Sequence, residues 1–119
     1  MHEFSLAVEL VDLAEAAARE AGSERVTGVT VTLGPLAGVD PRALRLAFEA
    51  ASEGTALHGA SLRLVETVVR ARCSVCQSSF TPSEPDLVAV CPTCGQPTMD
   101  LESGDEFLLS SLELALENA

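Results

Sequence analysis

The chain has 119 residues, of which 47% are hydrophobic, so it is long enough for one small domain with an apolar core. Seven arginines and no lysine face 18 acidic residues, which gives a formal net charge of −11. This charge repels nucleic-acid phosphates, and the absence of Trp and Tyr removes the best side chains for stacking on bases. Both features disfavour a nucleic-acid role.

The first residues, MHEFSL, carry an acidic residue where a secretory signal peptide carries basic ones. Acidic residues also interrupt the apolar run that follows, and no apolar stretch is long enough to span a bilayer. We therefore expect no signal peptide and no membrane segment. The expected location is the cytoplasm, where thiols stay reduced.

The spacing of apolar residues over 5–21 predicts a first helix, with Ser5 as its N-cap and Gly22 as the residue that ends it. The expected buried stripe consists of Leu6, Leu10, Leu13, Ala14, Ala17 and Ala21. Because this helix begins so early, residues 1–3 are expected just before its first turn, beside backbone N–H groups that lack a helical partner.

A βαβ unit is predicted next. Residues 25–33 alternate apolar and polar side chains, which is typical of a strand with one buried face. Asp40 followed by Pro41 marks the start of a second helix, which Gly54 should end. Its inward stripe consists of Leu44, Ala47, Phe48 and Ala51. A strand over 60–69 completes the unit, so the two strands should be parallel.

A last strand is predicted over 107–117, after a turn at 103–105, and it is marked by Leu108, Leu112, Leu114 and Leu116. We expect an α+β fold of the α/β type, with a three-stranded mixed sheet, both helices on one face and an inserted zinc-ribbon module. The body would comprise 1–69 and 104–119, and the module 70–103. The uncovered sheet face should be solvated, through Thr30 and Thr32, or should bind a partner.

All four cysteines lie in two Cys-x-x-Cys pairs, Cys73 with Cys76 and Cys91 with Cys94, separated by fourteen residues. A two-residue gap lets a tight turn aim both sulfurs at one tetrahedral ion. Four thiolates leave no open position, so the predicted metal is structural. Zinc is expected, and an iron centre of the same geometry is the alternative. Metal binding, worth about 10–16 kcal/mol in comparable peptides, should supply most of the folding free energy of the module.

The N-terminus offers a second set of metal donors. The Met1 amine, the His2 amide nitrogen and the His2 imidazole can close linked chelate rings, with the Glu3 amide as a fourth in-plane nitrogen. Planar nitrogen donors suit Ni(II) or Cu(II). The Glu3 carboxylate can orient the imidazole or add an oxygen ligand. Taken alone, the same residues also fit a solvent-exposed histidine on a frayed terminus.

Several segments in this order and spacing are characteristic: MHEFSLA at 1–7, GPLAGV at 34–39, LAFE at 46–49, GT at 54–55, GASL at 59–62, the two cysteine pairs, and FLLSSLE at 107–113. Together they resemble the HypA/HybF family of hydrogenase nickel-incorporation proteins over essentially the whole chain. Two positions depart from that family. Phe4 stands where aliphatic residues or Met are common, and His58 stands where an acidic residue is frequent, so we expect His58 to be a solvated turn residue.

The resemblance implies a nickel metallochaperone rather than an enzyme. It implies one Ni(II) held by the His2 imidazole and by backbone nitrogens of Met1 and Glu3. It also implies one structural Zn(II), whose ligands are Cys73, Cys76, Cys91 and Cys94. Nickel would pass, with a partner maturation GTPase, to the large subunit of [NiFe]-hydrogenase, and urease maturation factors are further candidate partners. Both a monomer and a homodimer stay open.

Two other functions compete with this interpretation. The first is a zinc-ribbon adaptor that binds proteins and in which His2 has no nickel role. The second is an enzyme, which the sequence disfavours because it has no Ser/His/Asp set and no phosphate-binding glycine loop, and because the cysteine site has no open position. Glu49, Glu53 and Glu66 are expected on solvated faces rather than in an acid–base pair.

Overall fold

The computed structural model describes residues 2–82, 89–98 and 100–115. Within these residues the chain forms two helices, α1 (His2–Glu20) and α2 (Pro41–Ser52), and eight strands. The strands are β1 (Val26–Leu33), β2 (Ser61–Glu66), β3 (Arg70–Arg72), β4 (Ser79–Phe80), β5 (Ala89–Val90), β6 (Pro97–Thr98), β7 (Leu101–Ser103) and β8 (Phe107–Leu114).

The chain forms two compact units. The first comprises Met1–Val31, Val39–Val65 and Leu108–Ala119, and the second comprises Thr32–Gly38 and Glu66–Phe107. The first unit contains both helices and most of the β2-β1-β8 sheet, whereas the second contains all four cysteines. In the described part of the chain, neither helix is long and apolar enough to cross a bilayer.

The start of α1 differs from the prediction. The helix begins at His2, so the predicted N-cap Ser5 lies inside it, and His2 and Glu3 belong to its first turn rather than preceding it. Its end is as predicted, because Gly22 has a φ of 79° and the Ser23 N–H donates to the Ala18 carbonyl at 2.9 Å. This is the hydrogen-bond pattern of a Schellman motif, in which glycine adopts the left-handed conformation without strain.

The buried face of α1 is also displaced from the predicted one. The buried residues are Ala7, Leu10, Val11, Ala14 and Ala18. The prediction is therefore correct at Leu10 and Ala14 but wrong at Leu13, Ala17 and Ala21, which are exposed. Both sets recur at helical spacing, so periodicity does not distinguish them. The observed face is rich in alanine, whose small side chain lets the helix backbone approach its neighbours closely.

The second helix follows the prediction. The Asp40 carboxylate caps α2 by accepting a hydrogen bond from the Arg42 N–H at 3.0 Å, and Pro41 occupies the first turn. Leu44 and Phe48 are buried, and α2 contacts α1. The helix stops before Gly54, which has a φ of 76°.

Strand β1 lies at the centre of a three-stranded sheet in the order β2-β1-β8. At one end the Val26 N–H donates to the Ala56 carbonyl, and at the other the Thr67 N–H donates to the Leu33 carbonyl. The chain therefore runs in the same direction along β1 and β2, which confirms the predicted parallel pair.

Strand β8 runs the opposite way. Its preceding residue Glu106 accepts from the Gly34 N–H, beyond the end of β1, whereas the Ala115 N–H donates to Arg25, before the start of β1. One parallel and one antiparallel pair make the sheet mixed, as predicted. The last two residues of the predicted strand, 116 and 117, lie outside the described residues.

The strand predicted over 60–69 is shorter in the structure, because β2 ends at Glu66. Residues 67–69 leave the strand conformation, and the chain continues as β3 in a second sheet of order β4-β3-β7. The Val68 carbonyl accepts a hydrogen bond from the Ser103 hydroxyl at 2.7 Å instead of from a strand neighbour. The continuous run of β-forming residues concealed this change of sheet.

A pair of leucines on α2 tests this packing. Leu44 is fully buried, whereas Leu46 is 72% exposed. We expect Leu44→Ala to lower the free energy of unfolding by about 2–5 kcal/mol, because it removes buried methyl groups and leaves a cavity. Leu46→Ala should change it by less than about 0.5 kcal/mol. Urea denaturation measures both, and equal losses would contradict the assigned face.

Candidate metal-binding sites

The first cysteine pair lies on a tight turn that begins where β3 ends. The Gln77 N–H donates to the Cys73 carbonyl at 2.9 Å, and the Cys73 N–H donates to the Ser78 carbonyl at 2.9 Å. Gln77 has a φ of 67°, the left-handed conformation that this turn needs. The backbone N–H groups of Val75 and Cys76 also point at the Cys73 sulfur, at 3.4 and 3.5 Å.

The second pair repeats this geometry. The Gly95 N–H donates to the Cys91 carbonyl at 2.8 Å, and the Cys91 N–H donates to the Gln96 carbonyl at 2.9 Å. Gly95, with a φ of 78°, takes the place that Gln77 has in the first turn. Both Cys-x-x-Cys segments are therefore metal knuckles, as their spacing predicts.

The two knuckles bring four sulfur atoms together. The ligand atoms of Cys73, Cys76, Cys91 and Cys94 all lie within 4.8 Å of one another. Cys73 Sγ lies 3.4 Å from Cys94 Sγ, and Cys76 Sγ lies 3.7 Å from Cys91 Sγ. Tetrahedral zinc with Zn–S bonds of about 2.3 Å places its sulfurs about 3.8 Å apart. The arrangement therefore fits a single four-coordinate zinc ion.

The sulfur atoms also influence one another's protonation. The Ser78 hydroxyl and backbone N–H stabilise the Cys76 thiolate and lower the pKa of Cys76 to about 6. Hydrogen bonds from the backbone N–H groups of Cys94 and Thr93 lower the pKa of Cys91. A hydrogen bond from the Gln96 N–H lowers the pKa of Cys94, but the neighbouring sulfurs, with Cys73 foremost, and burial together outweigh it and raise that pKa to about 12. A dication between the sulfurs offsets this repulsion and favours four thiolates.

Among its described residues, the second unit has a small apolar cluster around the cysteines. Its buried cluster comprises Ala71, Cys73, Phe80 and Cys91, with Leu101 packed against it. Two of these five residues are cysteines of the site itself. Since so small a cluster gives little hydrophobic stabilisation, we expect a metal held by the four cysteines to supply much of the folding free energy.

Two of the predicted nickel ligands, His2 and Glu3, lie in the first turn of α1. His2 is exposed, and Met1 lies outside the described residues. The Glu3 carboxylate accepts a hydrogen bond from the Asp40 N–H at 3.1 Å, which ties the first turn of α1 to the N-cap of α2. Hydrogen bonds from the Asp40 and Glu3 N–H groups, with the nearby His2, hold the pKa of Glu3 below its ordinary value.

The other ionisable residues considered in the sequence are exposed, as predicted. His58 is exposed in a turn, and its backbone carbonyl accepts from the Arg25 guanidinium at 2.9 Å. Glu49, Glu53 and Glu66 are exposed. Among the described residues, the cysteines form the one group of three or more His, Cys, Asp or Glu side chains that is close enough to hold an ion.

A model of the family described as hydrogenase/urease nickel incorporation, metallochaperone, hypA matches residues 1–114. The chain belongs to the HypA family. This confirms the resemblance inferred from the ordered motifs, and with it a family that handles nickel. A hydrogenase maturation factor HypA of Chlorobium limicola is 39% identical over 114 residues, with 96% of this chain and 97% of that protein covered. The HypA of Chloroflexus aggregans is 42% identical over 113 residues, with coverage of 95% and 98%.

Solved structures of the HypA family share the fold. The solution structure of the nickel metallochaperone HypA from Helicobacter pylori superimposes with a TM-score of 0.70 at 28% identity, covering 97% of this chain and 98% of that one. A second HypA solution structure gives a TM-score of 0.75 at 29% identity, with 98% of each chain covered. The predicted fold class, two helices with a small mixed sheet and a zinc-type four-cysteine group, is confirmed.

Two residues beside these sites were missed by the sequence analysis. Ser78 stabilises the Cys76 sulfur, and Asp40 binds Glu3 through its backbone N–H. A serine two residues after a knuckle cysteine is a usable signal, because that position faces the sulfur. Asp40 gave no signal of this kind, since its local role as a helix cap already accounts for it.

We expect Cys76→Ser to lose the zinc that the wild type retains, because three thiolates no longer close the coordination sphere. Cys76 is exposed, so the substitution removes no buried packing. The amide NMR signals of 70–80 and 89–98 should lose their dispersion, and metal analysis should find less than one zinc per chain. Ser74→Ala, in the same turn, is the control and should keep both the bound zinc and the dispersion of the amide signals. Retention of one zinc by Cys76→Ser would contradict the four-thiolate site.

The Glu3 contact predicts a pH dependence. Its folded pKa lies below the unfolded value, so its stabilisation is complete above the unfolded pKa, about 4.3, and is lost as pH falls through the folded pKa. The difference in unfolding free energy between wild type and Glu3→Gln should therefore be largest near neutral pH and should shrink in acid. Urea denaturation between about pH 7 and pH 3 measures this. Glu9→Gln, exposed on the same helix, is the control, and an identical pH profile for both variants would exclude the contact.

Proposed function

We propose that this HypA-family chain is a nickel metallochaperone that binds one Ni(II) at its N-terminus, with a structural Zn(II) on its four cysteines. The nickel would be delivered for maturation of the [NiFe]-hydrogenase large subunit. The observation that carries the proposal is the position of His2, which is exposed at the first residue of α1 in a chain of this family.

The helix start supports nickel binding by backbone nitrogens. The first N–H groups of a helix have no intrahelical acceptor, so binding a metal through the His2 and Glu3 nitrogens breaks no helical hydrogen bond. The positive end of the helix dipole also favours loss of their protons. With the Met1 amine and the His2 imidazole, these nitrogens would complete a planar set of the kind that Ni(II) prefers.

The hydrogen bond between the Glu3 carboxylate and the Asp40 N–H supports a positioning role for the Glu3 side chain in this site. Its carboxylate anchors the first turn of α1 on α2, so the backbone on which the donors lie has a fixed position. We propose that Glu3 contributes its backbone nitrogen to nickel while its side chain holds the terminus in place, much as outer groups orient metal ligands elsewhere.

An exposed terminal site suits a protein that must release its metal. Incoming ligands can replace the donors one at a time, and each displaced nitrogen takes up a proton. Nickel affinity should therefore fall on acidification, since protons compete with the metal for the same nitrogens. The four-thiolate site has the opposite character, because a closed coordination sphere holds its metal as a structural element.

The proposed setting follows the family. The chain would act in the cytoplasm without catalysing a reaction, with a nickel-handling GTPase as partner and with urease maturation factors as further candidates. Residues 1–69 and 104–119 would form the nickel-binding body and 70–103 the zinc ribbon. The acidic surface, with a net charge of −11, raises the local concentration of cations.

A protein-binding adaptor is the second candidate. Val75 and Val90 are each 64% exposed beside the knuckles, and exposed apolar side chains are common at protein interfaces. In this alternative the zinc ribbon carries the function and His2 has no nickel role. Nickel affinity separates the two candidates, because the adaptor needs none.

Titration calorimetry of zinc-loaded protein with Ni(II) tests the proposal. Wild type with a free N-terminus should bind about one nickel tightly, whereas His2→Ala should lose at least tenfold in affinity, because the chelate loses its imidazole. A short peptide extension before Met1 should have a similar effect, since it converts the terminal amine into an amide. Zinc content should be unchanged in every sample.

His58→Ala is the matched control, because it removes the other histidine of the chain. It should bind nickel like wild type. Equal nickel binding by wild type, His2→Ala and the extended protein would exclude the N-terminal site. Absence of nickel binding in wild type would favour the adaptor.

A further inference from the structure

One edge of the three-stranded sheet has backbone groups that no neighbouring strand uses. Strand β2 lies at this edge, with β1 on its other side. The Thr67 N–H, one residue beyond the end of β2, faces β1, since it donates to the Leu33 carbonyl, and backbone direction alternates along the preceding strand. The N–H and C=O groups of Leu62 and Leu64 therefore point away from β1.

A side chain from α2 confirms this direction. The Arg45 guanidinium donates to the Leu62 carbonyl at 2.7 Å, as expected for a carbonyl that points away from β1. In the part of the chain that the structure describes, no strand pairs with this edge. Such an edge is a template for another extended segment.

A cleft of about 480 Å³ adjoins the edge at Leu62. Its size lies in the usual range of ligand pockets, roughly 300–1,000 Å³. The residues that line this cleft include Arg45, Phe48, Glu49, Glu53, His58 and Leu62. The cleft therefore combines a buried aromatic ring with exposed charged groups.

The cleft contains the positive charge of Arg45 and the negative charges of Glu49 and Glu53. Glu49 lies on α2 and Glu53 is the residue that caps its C-terminus, and neither carboxylate makes an ion pair or hydrogen bond with another described residue. Arg45 is already bound to the Leu62 carbonyl. The cleft therefore offers two unpaired carboxylates beside an unpaired strand edge.

We infer that the β2 edge and this cleft bind an extended, basic peptide segment of a partner protein. The segment would pair its backbone with Leu62 and Leu64 and place a Lys or Arg side chain between Glu49 and Glu53. This is recognition by strand addition, in which the main chain gives affinity and a side-chain pocket gives specificity. The surface contains none of the proposed nickel or zinc ligands, so the inference does not depend on nickel binding.

Charge complementarity selects this occupant over a second copy of the chain. A second copy would bring its own net charge of −11 against the same acidic surface. A basic segment is instead attracted at long range and compensates the carboxylates on contact. Binding should therefore weaken as salt concentration rises.

The test uses full-length, zinc-loaded protein and a fluorescein-labelled peptide that alternates valine and lysine over seven residues. Fluorescence anisotropy should show saturable binding, and the Leu62 and Leu64 amides should shift in NMR spectra and exchange more slowly with solvent. The same peptide with alternate N-methylated amides should bind at least tenfold more weakly, because it cannot pair as a strand.

Glu49→Gln/Glu53→Gln should lower the affinity at least tenfold. The control Glu9→Gln/Glu20→Gln makes the same change in net charge at exposed positions of α1 and should bind like wild type. Equal losses in both double variants would show general charge attraction and overturn the proposal. Leu64→Pro should also weaken binding, since proline has no N–H and is tolerated in edge strands, and circular dichroism verifies its fold.

Two further outcomes would overturn the proposal. One is peptide-induced NMR shifts that lie on residues other than those of the edge and cleft. The other is a doubled mass of the free protein in sedimentation that Leu64→Pro returns to that of a monomer, because the edge would then belong to a second copy.

Discussion

The convergence of four sulfur atoms is the constraint on which the second unit depends. Its buried cluster is small and includes two of the cysteines themselves, so burial of apolar surface contributes little. Thiolates this close repel one another, and the neighbouring sulfurs contribute to the raised pKa of Cys94. A dication at their centre would offset this repulsion, and we expect its binding to contribute much of the folding free energy of this unit.

The N-terminus differs from the four-cysteine site in its exposure to solvent. The four cysteine sulfurs would enclose a metal ion. His2 is instead exposed in the first turn of α1, which the hydrogen bond between Glu3 and Asp40 holds in position. A chelate built from a chain end can be both well positioned and open, because the backbone is held from one side and solvent reaches the other. This combination fits the family's role in nickel incorporation, in which bound metal has to leave.

A sheet of three strands cannot shield both of its edges. In this chain α2 reaches the edge at β2 through Arg45, which occupies the Leu62 carbonyl. The neighbouring groups of Leu64 have no such cover, and the carboxylates of Glu49 and Glu53 line the cleft that adjoins Leu62. Small size and high negative charge thus combine to make this edge selective for basic partners.

Residue order alone determined the features that depend on local chemistry. The Cys-x-x-Cys spacing predicted both knuckles, Asp40-Pro41 predicted the start of α2, and Gly22 predicted the end of α1, because each depends on a few neighbouring residues. Tertiary packing decided those structural features that the local sequence pattern does not determine. The alanine-rich sequence of α1 allowed two buried stripes, and packing selected one of them. The break after Glu66 and the contact between Glu3 and Asp40 arise between residues far apart in sequence, so no local spacing encodes them.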